Sequence, residues 1–160
     1  YKYGYDAFFA RCEQAGVDGI IIPDLPFEEK DELAAIADAH KVDLISLVAP
    51  TSAERVQKIA RETRGFLYIV SSMGVTGVRS EIKTDLAAIL AAARAASDIP
   101  AAIGFGISSP EQVREFGRLA DGVIVGSAIV RLVERYGEAA ADQVFDYVKQ
   151  MKDALTDLGG

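Results

Sequence analysis

Ala101-Ala102-Ile103-Gly104-Phe105-Gly106-Ile107-Ser108-Ser109-Pro110-Glu111-Gln112 reads as a buried strand, a glycine-rich turn and the start of a helix, in that order. Ala101 to Phe105 is short and apolar and lacks the polar alternation of a strand that faces water on one side, so it suits a strand covered on both faces. Ser109 offers an N-cap hydroxyl, Pro110 fits the first helical position, and Gln112 stands where a capping box wants an amide. Strand, tight turn and helix together make a βα unit.

The same order recurs in both directions along the chain. Val17 to Asp24, Val42 to Ala49, Phe66 to Ser71 and Gly122 to Gly126 are four further short runs rich in Ile and Val, and the expectation for all five is a parallel sheet buried on both faces. Helical patterns separate them at Tyr5 to Ala15, Phe27 to His40, Ser52 to Glu62, Asp85 to Ser97 and Pro110 to Leu119. Ala128 to Arg135 and Glu138 to Leu155 follow the last run. Gly16, Gly65 and Gly137 close helical segments, where glycine accepts the left-handed backbone of a C-terminal cap. No low-complexity linker or internal boundary interrupts residues 1–160, so one domain is expected. Two architectures fit alternating βα units: an open doubly wound sheet and a closed (β/α)8 TIM barrel of about 250 residues. Five units of roughly 30 residues fill the chain. It opens in a helix instead of a strand, so further units are expected before Tyr1.

Composition narrows the function classes. Seventeen Lys and Arg against 24 Asp and Glu leave a net charge of −7, which argues against non-specific attraction to nucleic acid or to an anionic membrane. An anionic ligand would therefore need a local site. The single cysteine, Cys12, has no second thiol to bridge, so a disulfide framework is excluded and a reducing cytoplasm is expected. No apolar run approaches the ~18 residues of a spanning helix, and Tyr1 to Asp6 lacks the regions of a signal peptide. One histidine and one cysteine supply neither a metal cluster nor a nucleophilic dyad.

In α/β folds the ligand lies at the C-terminal ends of the strands. Gly104-Phe105-Gly106 and Gly122-Val123-Ile124-Val125-Gly126-Ser127 both end strands and both lead into helices. Either motif alone is as readily a tight turn as a ligand loop. Together, on the last two strands and followed by a short extra helix, they read as a phosphate cradle in which helix-start N–H groups face an anion. A dinucleotide fingerprint fits worse, because Ser109 replaces the third glycine. The stretch from Ser71 to Lys83 is longer than an ordinary βα connection of ~2–6 residues, and with Gly74, Thr76 and Gly77 it reads as a lid or as a surface loop. Tyr68 either packs or presents its hydroxyl to a ligand. Asp24 faces a ligand or caps the backbone after it. Glu28, Glu29, Asp31 and Glu32 read as a solvated helix start, and His40 with Lys41 as basic groups suited to a helix C-terminus.

Asp6-Ala7-Phe8-Phe9-Ala10-Arg11-Cys12-Glu13-Gln14-Ala15-Gly16, Pro23-Asp24-Leu25-Pro26, Leu47-Val48-Ala49-Pro50-Thr51, Gly74-Val75-Thr76-Gly77, Gly104-Phe105-Gly106-Ile107-Ser108 and Asp121-Gly122-Val123-Ile124-Val125-Gly126-Ser127-Ala128-Ile129-Val130 resemble tryptophan synthase alpha chains in the same order. The resemblance implies a TIM barrel of which this chain supplies the fourth to eighth strands. It implies retro-aldol cleavage of indole-3-glycerol phosphate to indole and glyceraldehyde 3-phosphate, a lyase reaction without a cofactor. The beta subunit is the implied partner. It assigns substrate contacts to Tyr68, Thr76, Gly77, Phe105, Gly106, Gly126 and Ser127. The family's catalytic glutamate and aspartate belong to its second βα unit, upstream of Tyr1, so residues 1–160 alone are expected to be inactive. Two alternatives stand beside this one: a non-catalytic phosphate-binding or assembly module, and a sugar-phosphate isomerase or epimerase barrel, which should lack the Gly74-Val75-Thr76-Gly77 lid.

Overall fold

The computed structural model describes residues 2–71 and 79–156. Its elements follow the expected alternation: α1 (Tyr5–Gln14), β1 (Gly19–Ile21), α2 (Asp31–Ala39), β2 (Asp43–Ile45), β3 (Leu47–Val48), α3 (Ala53–Glu62), β4 (Leu67–Val70), α4 (Arg79–Arg94), β5 (Ala101–Gly104), α5 (Pro110–Gly117), β6 (Gly122–Val123), α6 (Ser127–Tyr136) and α7 (Ala140–Thr156). Short 3-10 turns at Phe27–Glu29 and Gly137–Ala139 precede α2 and α7. Every strand pairing is parallel. The capping box forms as read: Gln112 N–H donates to Ser109 Oγ, and the Gln112 side chain accepts from the Ser109 N–H with Pro110 in the first turn.

The run from Val42 to Ala49 departs from the single strand expected of it. It divides at Ser46, with β2 pairing to β1 and β3 pairing to β4, so the order is β1-β2 in one sheet and β3-β4-β5-β6 in the other. The chain stays engaged through the division, because the Tyr68 N–H donates to Ser46 O at 3.0 Å. Tilted, staggered strands of a barrel-type sheet meet their two neighbours at different heights, and one extended run then serves one neighbour with each half. Burial on both faces holds for the middle of the sheet only. Leu67, Ile69 and Ile103 on β4 and β5 are fully buried, whereas β1 alternates exposed and half-buried positions. An edge strand has a neighbour on one side and less cover.

Those middle strands anchor the main core. Val56 and Ile59 of α3, Leu86 and Leu90 of α4, and Val113 and Phe116 of α5 pack onto Leu67, Ile69 and Ile103, each such side chain stabilising the fold by roughly 1.5–3 kcal/mol when fully buried. A smaller cluster of Phe9, Leu33, Ala37 and Val42 joins α1 to α2. The fourth helix begins at Arg79, six positions before the expected Asp85, so Arg79 and Lys83 belong to a helix and not to the proposed lid. Good helix formers such as Glu81 and Lys83 extend the helix beyond its apolar stripe. Gly74, Thr76 and Gly77 lie outside the described residues. Among the described residues no helix is long and apolar enough to cross a membrane.

His40 does more than complement a helix end. Its Nε2 lies 3.1 Å from Asp6 Oδ1 and its Nδ1 3.1 Å from Glu13 Oε2, both on α1, while Lys41 Nζ reaches Glu13 at 3.3 Å. Both ring nitrogens donate only when the ring is protonated. These bonds, to Asp6 first and then to Glu13, hold His40 above its ordinary value. A pKa raised on folding adds stability that is full below the unfolded value of about 6.5 and is lost as pH rises through the folded value. The thermal midpoint should therefore fall between pH 6 and pH 8.5 more steeply in the wild-type chain than in His40→Gln. Parallel melting curves across that range would show that the α1–α2 clamp carries no pH-dependent stability.

Candidate functional site

The C-terminal ends of β4, β5 and β6 lie side by side because their register is parallel, with Val70 opposite Gly104 and Ile103 opposite Val123. One further ladder bond follows, from the Ser71 N–H to Gly104 O at 2.9 Å. The chain then leaves the sheet through two residues with left-handed backbone, Phe105 at φ 81° and Gly106 at φ 73°. Such a φ is uncommon for a phenylalanine. Its ring is 58% exposed and meets Tyr68 edge-on at 6.3 Å.

Beyond the turn, the N–H groups of Ser108 and Ser109 donate to Gln112 Oε1 at 2.9 and 3.2 Å. Tyr147 of α7 donates its hydroxyl to Ser108 O at 2.9 Å, tying the loop to the last helix. Burial lifts the Tyr147 phenol, and the nearby Arg131 cation offsets part of that rise. On the neighbouring strand the Ile124 N–H donates to Ile103 O at 2.8 Å. Gly126 then caps α6 without a side chain, and Ser127 is the first helical residue.

These loops enclose a cavity of about 370 Å³ whose walls include Tyr68, Phe105, Gly106, Gly126, Ser127, Ala128 and Arg131. Five of the sequence-expected residues, Tyr68, Phe105, Gly106, Gly126 and Ser127, therefore share one cavity; Thr76 and Gly77 lie outside the described residues. Among the described residues, the Phe105, Gly106 and Ile107 N–H groups have no protein acceptor. The Ser127 and Ala128 N–H groups that open α6 have none either, as at any helix start. Converging amide donors at a helix N-terminus form an anion site. Tyr68 is 8% exposed, and burial raises its phenol above the ordinary value, so it meets a ligand as a neutral hydrogen-bonding group.

Arg131 is the site residue that the sequence reading passed over. It stands one turn beyond Ser127, and helical side chains lean toward the N-terminus, which brings its guanidinium back to the cavity that begins the helix. Among the described residues it has no carboxylate partner. The signal was present in the spacing Ser127 to Arg131, but an arginine four residues into a helix is ordinarily a solvated one. Asp24 is exposed in the turn after β1, and among the described residues its side chain makes no hydrogen bond that would cap the backbone after it. Glu28 is not merely solvated, since it pairs with Arg55 at 2.6 Å. A second cavity of about 390 Å³ beside β1 and β2 is lined chiefly by Ile20, Ile22, Leu25, Leu44 and Val48. Its two cations are already neutralised, Lys30 by Glu62 and Arg55 by Glu28, so it offers an anion less. Among the described residues no group of His, Cys, Asp and Glu is placed to hold a metal ion.

Gly104 is dictated by Tyr68. A Cβ at position 104 would overlap the phenol Oη and Cζ atoms, so Gly104→Ala must push the ring into the cavity or shift the strand. The expected cost is ~1–3 kcal/mol, as for other overpacked sites, together with weaker binding of any ligand there. Urea unfolding of Gly104→Ala checks it, and an unchanged midpoint would mean that Tyr68 is free to move aside.

Comparison with known proteins identifies the family. The family model described as "Tryptophan synthase alpha chain" matches residues 1–156. The tryptophan synthase alpha chain of Lacticaseibacillus casei is 46% identical over 155 residues, which cover 97% of this chain and 58% of that protein. Among solved structures, the Campylobacter jejuni tryptophan synthase subunit alpha superposes with a TM-score of 0.85 at 32% identity, covering 94% of this chain and 60% of that one. The tryptophan synthase a2b2 complex of Pyrococcus furiosus matches with a TM-score of 0.79 at 31% identity, covering 96% of this chain and 60% of the matched chain. The chain thus spans about three fifths of the length of these relatives.

Proposed function

The chain belongs to the tryptophan synthase alpha chain family, and on that premise we propose that it forms the phosphate-holding part of a lyase that cleaves indole-3-glycerol phosphate. The observation that carries this reading is the convergence on one cavity beside Tyr68 of Gly106 and Ser127, whose amides have no acceptor among the described residues. In this assignment the N–H groups at Gly106 and at the start of α6 hold the phosphate, Phe105 and Gly126 shape the cradle, and Arg131 adds a cation. Tyr68 stands beside the substrate, and the family resemblance assigns substrate contacts to Thr76 and Gly77 as well.

The reaction is a retro-aldol cleavage. The indole is protonated at C3, a proton leaves the adjacent glycerol hydroxyl, and the carbon–carbon bond between them breaks to give indole and glyceraldehyde 3-phosphate. An acid and a base must be positioned for those transfers. Among the described residues no carboxylate lines the cavity; the family resemblance assigns the acid and base to a glutamate and an aspartate, which we place in the two fifths of the relatives that this chain does not span. Holding the phosphate, a group that does not react, places the reacting atoms against those carboxylates. The beta subunit is the proposed partner, as in the Pyrococcus furiosus a2b2 complex, and the cytoplasm the proposed location.

Titration with glycerol 3-phosphate tests the reading. Binding should shift the Gly106 and Ser127 amide resonances, glycerol should not, and Arg131→Gln should weaken binding roughly 3- to 10-fold, an effect that shrinks at high salt. A polypeptide limited to residues 1–160 should bind without releasing indole. Glycerol 3-phosphate that binds elsewhere, leaving both amides unmoved, removes the proposal; indole release at the rate of a full-length alpha chain removes the assignment of the acid and base. Binding without cleavage even when the remaining family segments are supplied would favour the non-catalytic module.

A further inference from the structure

We propose that Ser71 is a positioning residue that turns the Phe105 and Gly106 amides into the cavity. The inference rests on reading that cavity as a phosphate site. Ser71 is 2% exposed, and its hydroxyl lies 2.8 Å from Gly104 O and 2.7 Å from Phe105 O. One hydroxyl proton is thus shared between two successive carbonyls.

In an extended strand, successive carbonyls point to opposite sides. Two of them meeting the same hydroxyl requires the alternation to break between Gly104 and Phe105, and the break is the left-handed φ of Phe105. In a trans peptide the C=O and the following N–H point in opposite directions. Fixing Gly104 O on Ser71 therefore turns the Phe105 N–H away from β4, and fixing Phe105 O does the same for the Gly106 N–H. In a continued parallel register the Gly106 N–H would have donated to the Ser71 carbonyl. It is released instead and has no protein acceptor among the described residues, on a residue that lines the cavity. The buried hydroxyl thereby converts the end of a sheet ladder into ligand-facing donors. It touches no ligand itself.

The test compares Ser71→Ala and Ser71→Thr with the wild-type chain by two readings: the backbone torsions of Phe105 and Gly106 from NMR chemical shifts, and the affinity for inorganic phosphate. Ser71→Ala should lose the positive φ at Phe105 and bind phosphate about 10-fold more weakly, the order of one well-placed hydrogen bond. Ser71→Thr keeps the hydroxyl and should retain both. A merely structural serine would lower the melting temperature of Ser71→Ala while leaving the torsions and the affinity of the folded protein unchanged, and that result overturns the proposal. If the wild-type chain binds no phosphate, the phosphate reading of the cavity fails, and the torsions of Phe105 in Ser71→Ala still decide whether Ser71 positions these amides.

Discussion

The parallel register between β4 and β5, running from Leu67 opposite Ala101 to Val70 opposite Gly104, constrains everything else in the molecule. Parallel strands all end at the same side of the sheet, so the loops that leave β4, β5 and β6 must meet there. The return path of each strand is a helix, and the packing of α3, α4 and α5 on Leu67, Ile69 and Ile103 makes that arrangement stable. Site and core are consequences of the same pairing. A slip of one residue would exchange the side chains on the two faces of one strand relative to the other and would also separate Ser71 from Gly104.

A chain of net charge −7 repels a phosphate at long range, and the proposed site would answer with local dipoles. Backbone N–H groups contribute fixed partial positive charge that needs no side-chain ordering, and a helix start concentrates several of them within one turn. Glycine at 106 and 126 leaves those groups uncovered. Arg131 then adds one full charge from the same helix, close enough to act within the screening length of roughly 8–10 Å at ordinary salt.

Much of this was legible because local chemistry and tertiary role coincide. Ser109, Pro110 and Gln112 announce a helix start whatever surrounds them, and the glycines at 104 and 106 mark a close approach to Tyr68 and a left-handed turn. The division at Ser46 was not legible. Nothing in Val42 to Ala49 says which neighbour each half meets, because that is set by the stagger of strands far apart in sequence. The start of α4 at Arg79 escaped for another reason: its first residues are good helix formers outside the apolar stripe, and periodicity alone sees only the stripe. His40 and Arg131 share a third cause. Each is unremarkable for its helix position, and its role comes from a partner or cavity built by other segments, Asp6 and Glu13 for one and the β5 turn for the other.

Ser71 shows why the rest could not be read from types and spacings. A serine at the end of a strand has many uses, and its position relative to Gly104, 33 positions further along the chain, depends on the intervening segment returning in register. Once that register is given, the geometry follows from the planarity of two peptide bonds. Tyr68 then limits what the turn tolerates, since its phenol occupies the space that any Cβ at Gly104 would need. The two constraints act on one peptide segment: the Tyr68 phenol occupies the space of a Cβ at residue 104, and the Ser71 hydroxyl holds the carbonyls of 104 and 105. On the proposed function, the same tyrosine that enforces the close approach also walls the substrate, so the phosphate and the reacting part of the molecule are held by one rigid unit. Binding energy gathered at the phosphate is then available to place the distant reacting carbon, without any side chain of the cradle taking part in the proton transfers.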